Sequence, residues 1–382
     1  MCSRFPVARW LPALAILFAA ADAPGQDDFR PLFNGRDLTG WVLVNTPAAT
    51  WSVEDQMLIC SGRPTGEIRT DRMYQNFILE VEWRHMVPGG NAGIFVWADD
   101  ITAPGVPFHR SVEVQVLENA YGQSSGHTTH GDIFPIHGAR MTPVNGRGGS
   151  RAFPTEERSR PSPEWNHYRI ECRDGAISLA VNGKVVTRGS DASPRKGYIC
   201  IESEGGVVHY RNLKIQELPD TPVPDEQVAV AARGFRSLYT GLNLDGWEAA
   251  ETVRSHWQVQ DWVLNYDGLS QAPATLTSTE PVADREFIVD VRPGKGCQSV
   301  TIAGRSLQRD QLPKDGWSRI AVLVQNGQMA LKVNGNSVGE TTAVAPEQTR
   351  FSISATGAAV FANLYSRLLT APAGAPSQCP AE

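Results

Sequence analysis

NFILEVEWRHMVPGGNAGIFVWADD, residues 76–100, runs through a short proline-containing loop into SVEVQVLEN, residues 111–119. Two of its runs alternate with period two. Leu79, Val81 and Trp83 fall on one side of the first, and Glu80, Glu82 and Arg84 on the other. In the second, Val112, Val114 and Val116 alternate with Glu113, Gln115 and Leu117. Successive side chains of an extended chain point to opposite faces, so each run reads as a strand with one side in a core. If the two strands are neighbours, Glu80, Glu82, Arg84, Glu113 and Gln115 converge on one sheet face, with Glu118 just beyond.

Outward from this stretch the chain reads as one unit written twice. LFNGRDLTGW (32–41) recurs as LYTGLNLDGW (238–247), and WSVEDQMLICSG (51–62) as WQVQDWVLNYDG (257–268), both at an offset of 206 residues. NFILEVEWR matches EFIVDVRPG with Phe77 on Phe287, an offset of 210. WNHYRIECRDGAISLAVNGKVV (165–186) then matches WSRIAVLVQNGQMALKVNGNSV (317–338) at 152, and YRNLKIQEL matches FANLYSRLL at 151. The fall from 210 to 152 is a loss of 58 residues, expected from 91–151. On this alignment Glu82 falls on Arg292, whereas Glu80 keeps an acid in Asp290. The retained pieces are scaffold, including hairpins with Asn-Gly turns at 182–183 and 334–335. The first copy is therefore read as the working unit and the second as structural or weakly binding.

A chain of 382 residues is long enough for two cores. Short alternating runs punctuated by Gly, Asn, Asp and Pro, with 35 Gly and 26 Pro in all, predict an all-β class of two tandem β-sandwiches, the second smaller. The expected division is an export signal at 1–23, a first sandwich at 29–218, a linker at 219–234, a second sandwich at 235–370 and a disordered tail at 371–382. Arg4 and Arg9 precede an apolar run that ends at an Ala-Asp-Ala cleavage site, residues 21–23. That run is too short to span a bilayer. The expected location is periplasmic or secreted, with no membrane partner once the signal is removed. A net charge of −6 gives no electrostatic case for nucleic acid. Five cysteines follow the signal, an odd number. Cys172 and Cys200 could bridge or pack, and buried packing is the plainer reading.

The order of motifs resembles a known family. LFNGRDLTGW, W-x-V, F-x-L-x-x-E-x-R, G-G-N-x-G-I-F, E-V-Q-V-L, G-D-I-F, E-W-N-H-Y, L-x-V-N-G, G-x-I-x-x-E and Y-R-N-L follow one another through residues 29–218, as in the 3-keto-disaccharide hydrolase domain family. The second copy shares only the scaffold motifs. The resemblance implies a concanavalin A-like jelly roll and cleavage of glycosides whose sugar carries a ketone at carbon 3. Such a ketone acidifies the proton on carbon 2. A base removes that proton, the enolate expels the anomeric substituent, and water adds to the enone. This needs a base, a hydrogen-bonding or positive group at the enolate oxygen, and an acid for the leaving group.

Glu82 and Glu113 are the first catalytic candidates, joined by His130 from HTTHGDIFPIHGA (127–139). The plain alternative for the carboxylates is a solvated sheet face. His130 and Asp132, two apart, would share one side of an extended segment and are the candidate metal ligands. No cofactor fingerprint occurs; a divalent metal ion is the one cofactor this chemistry invites. Arg84, Asn91, Gln115 and Glu118 are candidates for holding substrate oxygens, although Asn91 also suits a turn after Gly89-Gly90. Trp97 and Trp165 are candidate stacking surfaces for a sugar ring. The partner expected is a small oligosaccharide or glycoside; oligomeric state is left open. A non-catalytic, lectin-like carbohydrate-binding protein is the alternative reading of the same sandwich.

Overall fold

The computed structural model describes residues 28–232, 234–270, 274–281, 284–344 and 350–369. The expected signal and tail lie outside them. Among the described residues, no helix is long and apolar enough to cross a membrane. The architecture is nearly all-β, with two sandwiches in tandem.

The first sandwich pairs a nine-stranded sheet with a six-stranded one. The large sheet runs, in spatial order, Arg140–Pro143, Lys184–Ser193, Ala176–Val181, Asn166–Arg173, Phe77–His85, Val208–Glu217, Met57–Cys60 and Trp51–Glu54, with Arg30–Pro31 beside Val208–Glu217. The small sheet runs Trp41–Val44, Gly66–Thr70, Tyr198–Ser203, Gly93–Ala98, Ser111–Gln115 and Ile133–Ile136. Between them lie Leu79, Val81 and Trp83 from one side and Ile94, Val112 and Val114 from the other, all essentially sealed from solvent. The Asn-Gly hairpin forms as expected: Asn182 and Gly183 both take positive φ, at 48° and 87°, between Ala176–Val181 and Lys184–Ser193.

Both alternating runs are strands, but they do not pair. Phe77–His85 is central in the large sheet and Ser111–Gln115 belongs to the small one. Their apolar sides face each other across the shared core, so their polar sides point to opposite surfaces. The expected convergence of Glu82 with Glu113 is thereby corrected: alternation fixes which side of a strand is buried, not which strand lies beside it. Trp97 is a second correction. Strict alternation would turn it outward with Phe95. A register break next to Ala98 and a φ of 56° at Trp97 instead send its indole into the core, where Nε1 donates to the Gln75 carbonyl at 2.8 Å. Cys172 is a core residue of the large sheet, whereas Cys200 lies on the outer side of the small one; both are free thiols.

Among the described residues, the second sandwich repeats the plan with nine and five strands. Ser299–Ile302 and Arg305–Gln308 hold the places of Gly93–Ala98 and Ser111–Gln115 in the small sheet, and among the described residues no counterpart of Ile133–Ile136 follows them. Pairing also shifts the repeat register. Glu82 lies opposite His167 and Arg211, and Asp290 lies opposite Arg319 and Ala362, the repeat partners of those two residues. The structural offset of this strand is thus 208 rather than 210, and the loss is 56 residues. Glu82 corresponds to Asp290, and Arg84 to Arg292. The replacement of Glu82 by Arg292 was an artefact of a two-residue slip, which keeps every residue on its side of the strand and so leaves the apolar pattern intact.

Asp290 has a definite task. The loop at 99–110 of the first module docks on the outer face of the second module's large sheet. Gly105 N donates to Asp290 Oδ2 at 2.8 Å, and Asn363 Nδ2 donates to the Ala103 and Val106 carbonyls at 3.1 and 3.0 Å. Arg319 donates to Asp290 and to the Thr102 carbonyl. Gly105 lies so close to the Trp317 indole that a Cβ would sit 2.2 Å from it. Val44, Ile101, Phe235, Ile288 and Tyr365 form an apolar cluster across the same junction.

Candidate functional site

The outer side of the small sheet carries the groups that alternation keeps out of the core: Glu67, Glu202, Gly93, Glu113 and Gln115. They are nevertheless buried, at 0%, 2%, 7% and 6% exposure for Glu67, Glu202, Glu113 and Gln115. Gly93 is what lets them meet. A Cβ there would stand 2.9 Å from both Glu113 Oε1 and Glu202 Oε2, so the two carboxyls close over a bare backbone.

A hydrogen-bonded row leads from this pair to solvent. Gln115 Nε2 donates to Asn91 Oδ1 at 3.1 Å, and Asn91 Nδ2 donates to Glu204 Oε2. Glu204 hydrogen-bonds Glu202 in turn. Glu204 and Asn91 line an opening of about 360 Å3 edged by Val87, Pro88, the glycines at 89, 90, 205 and 206, and Tyr121. Tyr121 is 49% exposed, which is high for so large a ring, and it stands at the mouth. Arg151 supplies positive charge on the far side: its guanidinium lies 3.4 Å over the Phe134 ring and donates to Asp132 Oδ2 at 3.0 Å.

Electrostatics set this cluster apart. Burial, then the negative charge of Glu204, push the Glu113 carboxyl up to about 8, against the opposing pull of Arg151. Burial and the charges of Glu113 and Glu204 hold Glu202 well above the usual carboxylate range. Burial also raises Glu204, but its hydrogen bonds from Glu202 and Asn91 oppose the rise. Three carboxyls that cannot all ionise must share protons.

The other sequence candidates lie elsewhere. Glu82 is on the outer face of the large sheet, bound by Arg211 at 2.7 Å and Asn212 at 2.8 Å. Burial works against its charge, but those two partners outweigh it and hold the carboxyl below its usual value. Arg84 lies 4.5 Å over one face of Trp165 and Arg211 4.0 Å over Trp165 as well, so the indole is already covered by guanidinium groups. Beside them Glu80, Glu82, His167, Arg211 and Lys214 line a cleft of about 690 Å3. Glu118 does not face an opening. Its carboxylate accepts from Gly89 N, Ala120 N and Ser162 N at 2.7, 2.7 and 2.9 Å, pinning three loop segments.

His130 and Asp132 do not act as a pair. His130 donates from Nδ1 to the Leu117 carbonyl at 2.8 Å and packs near the Trp83 ring in the core. Burial pushes its imidazole down to about 4. Asp132 instead accepts from Thr128 and Arg151. The segment is not extended at this point, with φ of 29° at His130 and 110° at Gly131, so the spacing of two does not put them on one side. Of the sequence candidates, the structure brings together Glu113, Gln115 and Asn91. Glu67, Glu202, Glu204 and Tyr121 were missed. A signal existed for Glu202, which closes the G-x-I-x-x-E motif at 197–202 and alternates with Ile201 and Ile199.

Residues 28–216 match the family model described as the 3-keto-alpha-glucoside-1,2-lyase-like domain. Among solved structures, a candidate glycosyl hydrolase from Parabacteroides distasonis ATCC 8503 is similar at 22% identity and TM-score 0.39, covering 50% of this chain and 94% of its own. A β-glucanase from Bacillus licheniformis is similar at 14% identity and TM-score 0.32, covering 50% and 97%. A carbohydrate-binding module from Bacillus subtilis is similar at 12% identity and TM-score 0.33, covering 47% and 96%. No curated protein matches the chain.

Proposed function

We propose, from the premise that residues 28–216 belong to the 3-keto-α-glucoside-1,2-lyase-like family, that this chain cleaves 3-keto-glycosides by removing the carbon-2 proton. The observation that carries the reading is the proton-sharing trio Glu113, Glu202 and Glu204 behind an opening edged by Tyr121. Glu204 is the base. It stands at the opening, and the donors Asn91 and Glu202 favour its ionised form. It takes the proton from carbon 2, and the electrons of that bond form the enolate with the carbon-3 ketone. The enolate then expels the anomeric oxygen. Glu204, now carrying the carbon-2 proton, passes it to that oxygen as it leaves and regains its charge, while Glu202, kept protonated by burial, hydrogen-bonds Glu204 from behind. Water adds across the resulting enone to give net hydrolysis. Tyr121 offers a ring face to the sugar. The export signal read at 1–23 supports a reaction in the periplasm or outside the cell.

The test is incubation of a 3-keto-disaccharide in D2O with mass analysis of substrate and products. Deuterium entering carbon 2, with release of the aglycone sugar, supports the reading. Release without deuterium entry would point to an ordinary two-carboxylate glycosidase. A second reading, carbohydrate binding without cleavage, is favoured by the cleft of about 690 Å3 on the large sheet. Its carboxylates are ionised and paired, which suits hydroxyl recognition better than proton abstraction. Unmodified sugars that bind and raise the Tm, with no keto-sugar cleaved, would favour it.

A further inference from the structure

Glu67, His109 and Cys200 meet on the outer side of the small sheet, next to the carboxylate trio and outside the reaction described above. Glu67 and Cys200 come from the adjacent strands Gly66–Thr70 and Tyr198–Ser203. His109 is lowered onto them from the loop that precedes Ser111. Its Nδ1 lies 2.9 Å from Glu67 Oε1 and 3.3 Å from Cys200 Sγ. One donor atom from each residue falls within 4.8 Å of the other two. All three residues are at 0% exposure.

Hydrogen bonding accounts for part of this arrangement. Neither carboxylate oxygen of Glu67 accepts a hydrogen bond of normal geometry, although the His109 imidazole and the Cys200 thiol both meet the carboxyl. Buried polar groups are nearly always satisfied, and a fully buried carboxylate faced by a poorly aligned imidazole and a thiol suits a cation held between the three. The donors identify its class. A thiol beside an imidazole and a carboxylate suits a borderline transition metal and repels calcium or magnesium, which prefer all-oxygen shells. Around zinc, with bonds of about 2.0–2.3 Å, tetrahedral donors stand roughly 3.3–3.7 Å apart. The two separations from His109 Nδ1, 2.9 and 3.3 Å, are a few tenths of an ångström tighter, an adjustment within reach of side-chain rotation.

We propose that Glu67, His109 and Cys200 form a three-ligand site for a borderline divalent transition metal, zinc foremost, with a fourth position open. Binding replaces the thiol proton of Cys200, which is released to solvent, and leaves the metal held by a thiolate, an imidazole and a carboxylate. His109 also ends the loop whose tip, Gly105, docks on the second module, so the metal ties the root of that loop to the small sheet. The site does not depend on the keto-sugar reading, and its test uses no sugar.

The full chain is stripped with a chelator, titrated with Co2+, and followed by thiolate-to-cobalt absorption in the near ultraviolet. The expected result is one equivalent bound, a band displaced by Zn2+, and a rise in Tm. Cys200→Ser loses the band, His109→Gln weakens binding at least tenfold, and Cys172→Ser, in the core of the other sheet, keeps both. Far-UV circular dichroism establishes that each variant is folded; should Cys200→Ser fail to fold, Glu67→Gln decides, with at least tenfold weaker binding expected. Absence of a band in the folded wild-type chain overturns the proposal, as does a band that survives in Cys200→Ser or binding unchanged in Glu67→Gln.

Discussion

Gly93 is the residue on which the carboxylate trio depends. Its missing side chain is the space where Glu113 and Glu202 close. Gly93→Ala is expected to force these flexible carboxyl ends apart, lowering kcat/KM for a 3-keto-disaccharide by about 100-fold, the lower end of what acid–base catalysis contributes, with little change in Tm. The trio also makes a pH prediction with a definite sign. The Glu113 carboxyl is raised from 4.5 to about 8 by folding, so the native state holds its proton where the unfolded chain has released it. Its contribution to stability is complete below about 4.5 and is lost as pH rises through about 8. Tm should therefore fall between pH 5 and pH 8, and Glu113→Gln, which stays neutral, should flatten that fall. Glu118→Ala is expected to cost about 1–3 kcal/mol in urea unfolding, because it strips an acceptor from three backbone N–H groups. At this scale Glu113 and Gln115 were legible because polar residues in an alternating strand advertise themselves. Glu118 stood out for its charge, but three loop segments that are distant in sequence consume that charge.

The elements were legible wherever alternation and turn chemistry sufficed. Phe77–His85, Ser111–Gln115 and both Asn-Gly hairpins could be placed from the residues. Partnership was not legible, since two strands that share a core present the same pattern whether they pair or face each other. Nor could alternation foresee the break at Trp97 or the non-extended turn through His130. The loop at 99–110 is the element whose role emerged only in three dimensions. Gly105 has φ of 75° and no room for a Cβ against Trp317. Gly105→Val is expected to cost about 2–5 kcal/mol, adding left-handed strain to overpacking, and to lower the Tm accordingly.

At the scale of the whole molecule, the repeat gives two versions of one surface. In both copies an acid binds an Asn and an Arg stacks on a Trp: Glu82, Asn212, Arg84 and Trp165 in the first, Asp290, Asn363, Arg292 and Trp317 in the second. The first copy covers its indole with Arg211, whereas the second has Ala362 at that place and receives Gly105. This difference turns the second module into the socket of the first. Asp290→Ala would strand the Arg319 guanidinium and remove the acceptor of Gly105, at an expected cost of about 3–5 kcal/mol. Combined with Gly105→Val, the loss should fall short of the sum, because both changes break one contact. The repeat itself was plain in the sequence. Its register was not, because a slip of two residues preserves the apolar pattern. The most direct test of the account compares initial rates of 3-keto-disaccharide cleavage by wild type, Glu204→Gln and Glu82→Gln. The account predicts that Glu204→Gln loses at least 100-fold while Glu82→Gln stays within a few-fold of wild type. Full activity in Glu204→Gln with a collapse in Glu82→Gln would contradict it and move the reaction to the cleft on the large sheet.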